Sequence, residues 1–164
     1  MSTYLLSVTL HVLAAFLWLG GLFFLAAVGA PVLRRMEPAE LRARLFHGIG
    51  KRFRLIGWIA IAVLVLTGLG NLHFRGLLRM EVLRDPGFWT QPYGRTLAWK
   101  VGLVVAMVAL AALHDFVLGP RASRLPPGSP EALRARRRAT WLARVNTLLG
   151  ILLIAVSVRL ARGG

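Results

Sequence analysis

Residues 4–33 read YLLSVTLHVLAAFLWLGGLFFLAAVGAPVL, thirty positions without an Asp, Glu, Lys or Arg. The one readily protonated side chain among them is His11. At 1.5 Å of rise per residue, about 20 apolar residues cross the ~30 Å hydrocarbon core of a bilayer as a helix. A secretory leader is a poor reading, because a positive start is lacking and the apolar run is too long. Three further apolar blocks follow, at 55–72, 97–118 and 141–158. All four are continuous rather than alternating, which favours helices over barrel strands.

The composition agrees. Of 164 residues 57% are hydrophobic and 16% charged, with a mean hydropathy of +0.65. A soluble domain carries about a quarter charged residues. A soluble enzyme and a disordered binder are thereby excluded, and the absence of Cys excludes a disulfide scaffold. The expected fold is all-α: a polytopic membrane protein forming one four-transmembrane-helix bundle over residues 1–164. The residue string shows no internal repeat and no soluble domain.

Basic residues set the expected orientation. Of the 21 Lys and Arg, seven fall between the first two spans and seven at 121–144. The other seven belong to the opposite side. By the positive-inside rule the two richer loops face the cytoplasm and both termini lie outside. The cluster Arg134, Arg136, Arg137, Arg138 resembles a nucleic-acid patch in isolation. Directly before a span, it reads as an anchor attracting anionic lipid at about 1 kcal/mol per residue, so nucleic acid is not an expected partner. Residues 38–53 predict a short interfacial helix begun by Pro38, with Leu41, Leu45, Phe46 and Ile49 on one side. Pro126-Pro127-Gly128-Ser129-Pro130 predicts a break. Asp85-Pro86-Gly87 predicts a turn, with Trp89 and Tyr93 at headgroup level.

Polar groups at membrane depth are costly and are the natural functional candidates. Span one offers His11, Trp18 seven residues on, and Gly20-Gly21, a small-residue patch for close helix approach. Span two ends with Thr67, Asn71 and His73. Span three carries Lys100, Met107 and His114 at intervals of seven, and span four carries Asn146 and Arg159. Alternating directions gather His11, His73, Lys100 and Arg159 in the outer half. His47, His114, Asp115 and Asn146 gather at the inner boundary. One outer histidine pair, His11 with His73, and one inner pair, His47 with His114, are thus possible. Two imidazoles from different helices can hold a b-type haem or a copper or zinc ion. Against this stands the ordinary reading of a histidine near a helix end as a hydrogen-bonded or interfacial residue, which applies least to the deeply placed His11.

Three stretches resemble the copper-resistance protein D (CopD) family in order and spacing. They are His11-Val-Leu-Ala-Ala-Phe-Leu-Trp18-Leu-Gly20-Gly21, then Thr67-Gly68-Leu69-Gly70-Asn71, then Pro92-Tyr93-Gly94-Arg95-Thr96-Leu97-Ala98-Trp99-Lys100. The layout is also similar to the HemJ-type protoporphyrinogen oxidases, where a first-span histidine is haem-associated and a third-span lysine is important. Those positions match His11 and Lys100. A CopD likeness implies copper uptake or tolerance at the bacterial inner membrane. The residues lend copper(I) little help, since Cys is absent and only Met107 of four methionines lies in a span.

The expectation is therefore a membrane haem b protein moving electrons to or from a quinone or porphyrin, as an oxidoreductase if it is an enzyme. His11 and His73 would be axial ligands, with His114 a further candidate. Trp18 would pack on the ring. Arg95 and Lys100 would meet propionates or a substrate carboxylate, with Lys100 the catalytic candidate. The alternatives are a CopD-like copper protein, and a non-catalytic assembly subunit bound to a membrane redox partner or a second copy.

Overall fold

The computed structural model describes residues 2–125 and 129–164. Four long helices dominate: α1 Thr3–Arg34, α2 Ala39–Phe74, α3 Pro92–Arg121 and α4 Pro130–Ala161. Two short helices, Met80–Arg84 and Pro86–Thr90, lie between α2 and α3. Among the described residues there is no strand. Each long helix is long and apolar enough to cross a membrane, and only 11–22% of each apolar window is buried. A water-soluble helical protein would hide such surface. Here it suits lipid, and the all-α membrane expectation stands.

The apolar blocks at 55–72 and 141–158 are the inner parts of longer helices. The interfacial helix expected at 38–53 is corrected: these residues continue unbroken into the span as one 36-residue helix. Pro38 does begin it, as the residue preceding Ala39. Gly48 and Gly50 cost about 1 kcal/mol each in helix propensity. Breaking the helix there would strand several backbone groups at the edge of the hydrocarbon, which costs more. The first turns of α4 start with Ser129, whose hydroxyl accepts from the Ala132 N–H at 3.2 Å. The expected break at Pro126-Pro127-Gly128 lies outside the described residues.

The chain divides into two compact units, Met1–Asp85 and Pro86–Gly164. In the first, α1 packs along α2 by fitting side chains over glycines. Trp18 Cδ1 lies 3.7 Å from where a Gly57 Cβ would stand, His11 Cε1 lies 3.5 Å from that of Gly68, and Ser7 Oγ 3.3 Å from that of Gly70. Phe53 returns the fit, its ring edge lying 2.6 Å from a Cβ built on Gly21. Of the Gly20-Gly21 patch, only Gly21 admits a neighbour; Gly20 meets nothing within 4 Å. Small residues that let backbones approach are the usual basis of helix pairing in lipid, where dispersion replaces the hydrophobic effect. In the second unit α3 and α4 pack on each other, and Leu97, Leu103 and Met107 of α3 and Leu142 and Leu153 of α4 are buried.

The two units share several features of construction. A shift of 89 positions takes Pro31 to Pro120, Tyr4 to Tyr93, Ser7 to Thr96 and His11 to Lys100. Just before each proline the helix widens into a π segment, Leu25–Gly29 in α1 and Leu113–Leu118 in α3. The Ala30 N–H reaches back to the Leu25 carbonyl and the Gly119 N–H to that of His114. These are i to i−5 bonds next to a proline that has no N–H to give. Buried Ala14, Trp18, Gly57 and Ile61 correspond to buried Leu103, Met107, Asn146 and Gly150. Both second helices also end alike. Gly76 and Gly163 take positive φ, their N–H groups bonding to His73 and Leu160, while the next residues bond to Leu72 and Arg159. This is the Schellman termination, in which glycine avoids the Cβ cost of the left-handed region. The likeness lies in the backbone bonding around the two prolines and in these four buried positions, and few side chains are shared with it.

Candidate functional site

His11 lies in the N-terminal half of α1, with its Nδ1 2.9 Å from Thr67 Oγ1 on α2. Thr67 has one hydroxyl proton, and its oxygen lies 2.6 Å from the Val63 carbonyl one turn back. The proton goes there. The oxygen therefore accepts at the His11 contact, and Nδ1 carries the donated hydrogen. In the neutral ring this leaves Nε2 as the lone-pair nitrogen. Metal-binding histidines are ordinarily fixed in this way, with the second ring nitrogen donating to an oxygen that sets tautomer and direction.

Two further polar groups line the same seam. Ser7, one turn before His11, donates to the Thr67 carbonyl at 3.4 Å. Asn71, one turn beyond Thr67, has an Oδ1 that is buried and without a hydrogen-bond partner. A buried amide oxygen left unpaired costs about 1–3 kcal/mol. Tyr4 closes the end of the pair, its ring 5.8 Å edge-on from Phe74 and its hydroxyl accepting from Arg75 Nε at 3.2 Å.

The structure treats the sequence candidates unequally. His11 faces Thr67, and His73 lies six residues further along α2. That is about 9 Å of rise and roughly 240° around the axis, and the His73 ring is exposed and edge-on to Phe74 at 5.9 Å. The helix register thus sets Thr67, and not His73, across from His11. Trp18 is only 4% exposed, and its ring fills the space over Gly57. Arg95 is exposed in the first turn of α3, and Lys100, five residues on, is half-buried. His47 is exposed on the lower part of α2. His114, in the π segment of α3, pairs its Nδ1 with Asp115 Oδ1 at 2.9 Å. Among the described residues, no group of three or more His, Cys, Asp or Glu converges as a metal cluster.

Ser7 escaped the residue reading, as did the hydrogen bond that joins His114 to Asp115. The i, i+4 spacings Ser7–His11 and Thr67–Asn71 were the available signal for the seam.

Residues 47–160 match the family described as CopD, copper resistance protein D. The chain belongs to the CopD family. This CopD protein is also 32% identical over 155 residues to an uncharacterized protein of Aquifex aeolicus (strain VF5), a match covering 94% of this chain and 92% of the relative. No solved structure matches it. The family match takes in Thr67, Asn71, His73, Arg95, Lys100 and His114, and it begins after His11. Membership makes this a multi-pass membrane protein of a copper-resistance family, which favours copper over haem.

Proposed function

We propose that this CopD protein handles copper as cargo within the membrane, with His11 Nε2 as the ligand in the first unit. The observation that carries the reading is the His11–Thr67 hydrogen bond at 2.9 Å, which makes Nε2 the lone-pair nitrogen. The unpartnered Oδ1 of Asn71 supplies an oxygen acceptor on the same seam. Thr67 and Ser7 are positioning residues.

The donor set fits copper in a particular way. One imidazole and amide or hydroxyl oxygens suit a borderline cation, whereas tight copper(I) sites use thiolate and thioether. With no Cys and no cluster of three ligands among the described residues, the seam suits brief occupation by cargo better than permanent storage. Lys100 and Arg95, near the start of α3, provide cationic groups suited to an anionic ligand in the second unit.

Haem b would use the same His11 nitrogen, but the register supplies no facing histidine as second axial ligand. Electron transfer with a quinone or porphyrin then loses its simplest basis. The test is direct: detergent-purified protein is titrated with copper and its ultraviolet–visible spectrum recorded, oxidised and reduced. Copper binding that His11→Ala removes supports the reading. A Soret band sharpening on reduction, with iron bound, restores the haem reading. Neither metal, with strong co-purification of another membrane protein, leaves the assembly subunit.

A further inference from the structure

The arginines ahead of the fourth span have no part in the copper reading, and the structure sorts them by face. α4 runs unbroken from Pro130 to Ala161, so Arg134, Arg136, Arg137, Arg138 and Arg144 stand on the same helix as the apolar stretch that follows. α4 packs on α3. Its buried face begins with Ala132, 1% exposed, and Ala135, 9% exposed, and continues through Leu142 and Asn146. At 100° per residue, Arg134, Arg137, Arg138, Trp141 and Arg144 share an arc of about 120°, roughly opposite the two alanines. All five are exposed. Arg136, also exposed, falls outside that arc, on the side of Ala132.

Two features separate this face from a solvated run of charge. Apolar groups stand exposed among and below the cations: Trp141 is 63% exposed, and Leu148, one turn past Arg144 on the same line, is 65% exposed. A face turned to water has no use for them, whereas an indole suits the boundary between headgroups and hydrocarbon. The second feature is depth. Arg144 lies three residues beyond Trp141, about 4.5 Å further along the helix. A guanidinium placed there is costly unless it reaches back to the headgroups or meets an anion. Helical side chains lean toward the N-terminus, which brings the Arg144 group back to the level of Trp141. The fold provides no counter-charge. Among the described residues none of the five arginines pairs with a carboxylate, and Glu131 is the sole acid in α4.

We infer that this face of α4 is a binding site for an anionic phospholipid. Arg137, Arg138 and Arg144 hold the headgroup phosphate, Trp141 lies at the glycerol level, and Leu148 meets the acyl chains. Guanidinium groups suit phosphate because their planar forks match its oxygens. A general attraction of basic residues to the bilayer surface would involve the whole cluster; this site uses one side of it. The inference is independent of the copper reading.

The experiment reconstitutes the full-length chain in phosphatidylcholine vesicles that contain a minor share of phosphatidylglycerol with brominated acyl chains, or the same share of brominated phosphatidylcholine. Bromine quenches nearby indole fluorescence, and the part of the signal that Trp141→Phe removes belongs to Trp141. That part should be quenched more strongly by the brominated phosphatidylglycerol. Arg137→Gln and Arg144→Gln should each weaken the preference about fivefold. Arg136→Gln removes the same charge from another side and should leave the preference nearly unchanged. Equal quenching by the two lipids overturns the inference. So does an Arg136→Gln loss as large as that of Arg144→Gln, which would reduce the cluster to diffuse attraction. The comparison of the two lipids on the wild-type chain decides the matter even where an arginine variant fails to fold.

Discussion

His11 and Thr67, 56 residues apart in sequence, are joined by a 2.9 Å hydrogen bond in which the direction of donation is fixed by a third group, the Val63 carbonyl. The first prediction concerns this bond. Thr67→Val keeps the shape but removes the oxygen that accepts from the His11 Nδ1–H, a net loss of about 0.5–1.5 kcal/mol. Nitrogen-15 shifts of His11 should then show mixed tautomers, and copper affinity should fall about 10–100-fold. Thr67→Ser should retain both properties. Unchanged shifts in the valine variant would remove Thr67 as the group that orients His11.

Asn71 offers a trade between stability and binding. Its Oδ1 is buried without a partner, so Asn71→Leu should be neutral or stabilising by up to ~1–3 kcal/mol. The same variant should bind copper more weakly. Unfolding in detergent and a copper titration on one preparation check both halves.

The glycine pair at the centre of α1 separates close approach from mere helix propensity. Gly21→Ala places a Cβ against the Phe53 ring and should cost about 1–3 kcal/mol by overpacking. Gly20→Ala meets nothing within 4 Å and should be neutral or gain up to ~1 kcal/mol. Gly94→Ala should be worse than either, because its Cβ would collide with the Phe88 backbone carbonyl, which has less freedom to yield than a ring. Thermal unfolding in detergent ranks the three.

Met107 is fully buried and Phe16 is 78% exposed. Met107→Ala should destabilise by about 2–5 kcal/mol through the cavity it leaves. Phe16→Ala, on a lipid-facing surface, should change unfolding little. Equal losses would mean that the α3–α4 contact is not the stabilising core of its unit.

Orientation can be read with single cysteines, because the natural chain has none. The excess of arginine before the second and fourth spans predicts that Asp85→Cys is labelled by an impermeant thiol reagent from outside, and Ser129→Cys only after permeabilisation. The reverse pattern would invert the topology.

The membrane-crossing helices were legible because hydropathy and charge are local and accumulate along one segment. Residues 4–33 alone required a span. The prolines and arginines bounding the blocks likewise located the connections, though the unbroken passage of 38–53 into α2 was not readable, since a helix continuing past glycines depends on what its end would face. The candidate site was half legible. A histidine deep in an uncharged block stands out in any sequence, but its partner does not.

His11 was thus determined as a candidate by sequence, as were the four spans and the CopD resemblance. What only the tertiary structure decided was register: which turn of α2 meets which turn of α1. That follows from the places where glycines 57, 68 and 70 let Trp18, His11 and Ser7 approach, a three-dimensional fit with no local signal. It set Thr67, rather than His73, opposite His11. The likeness between the two units was hidden for a similar reason. Backbone bonding around Pro31 and Pro120 is shared, while lipid accepts almost any apolar side chain elsewhere and so leaves little of that likeness in residue identity.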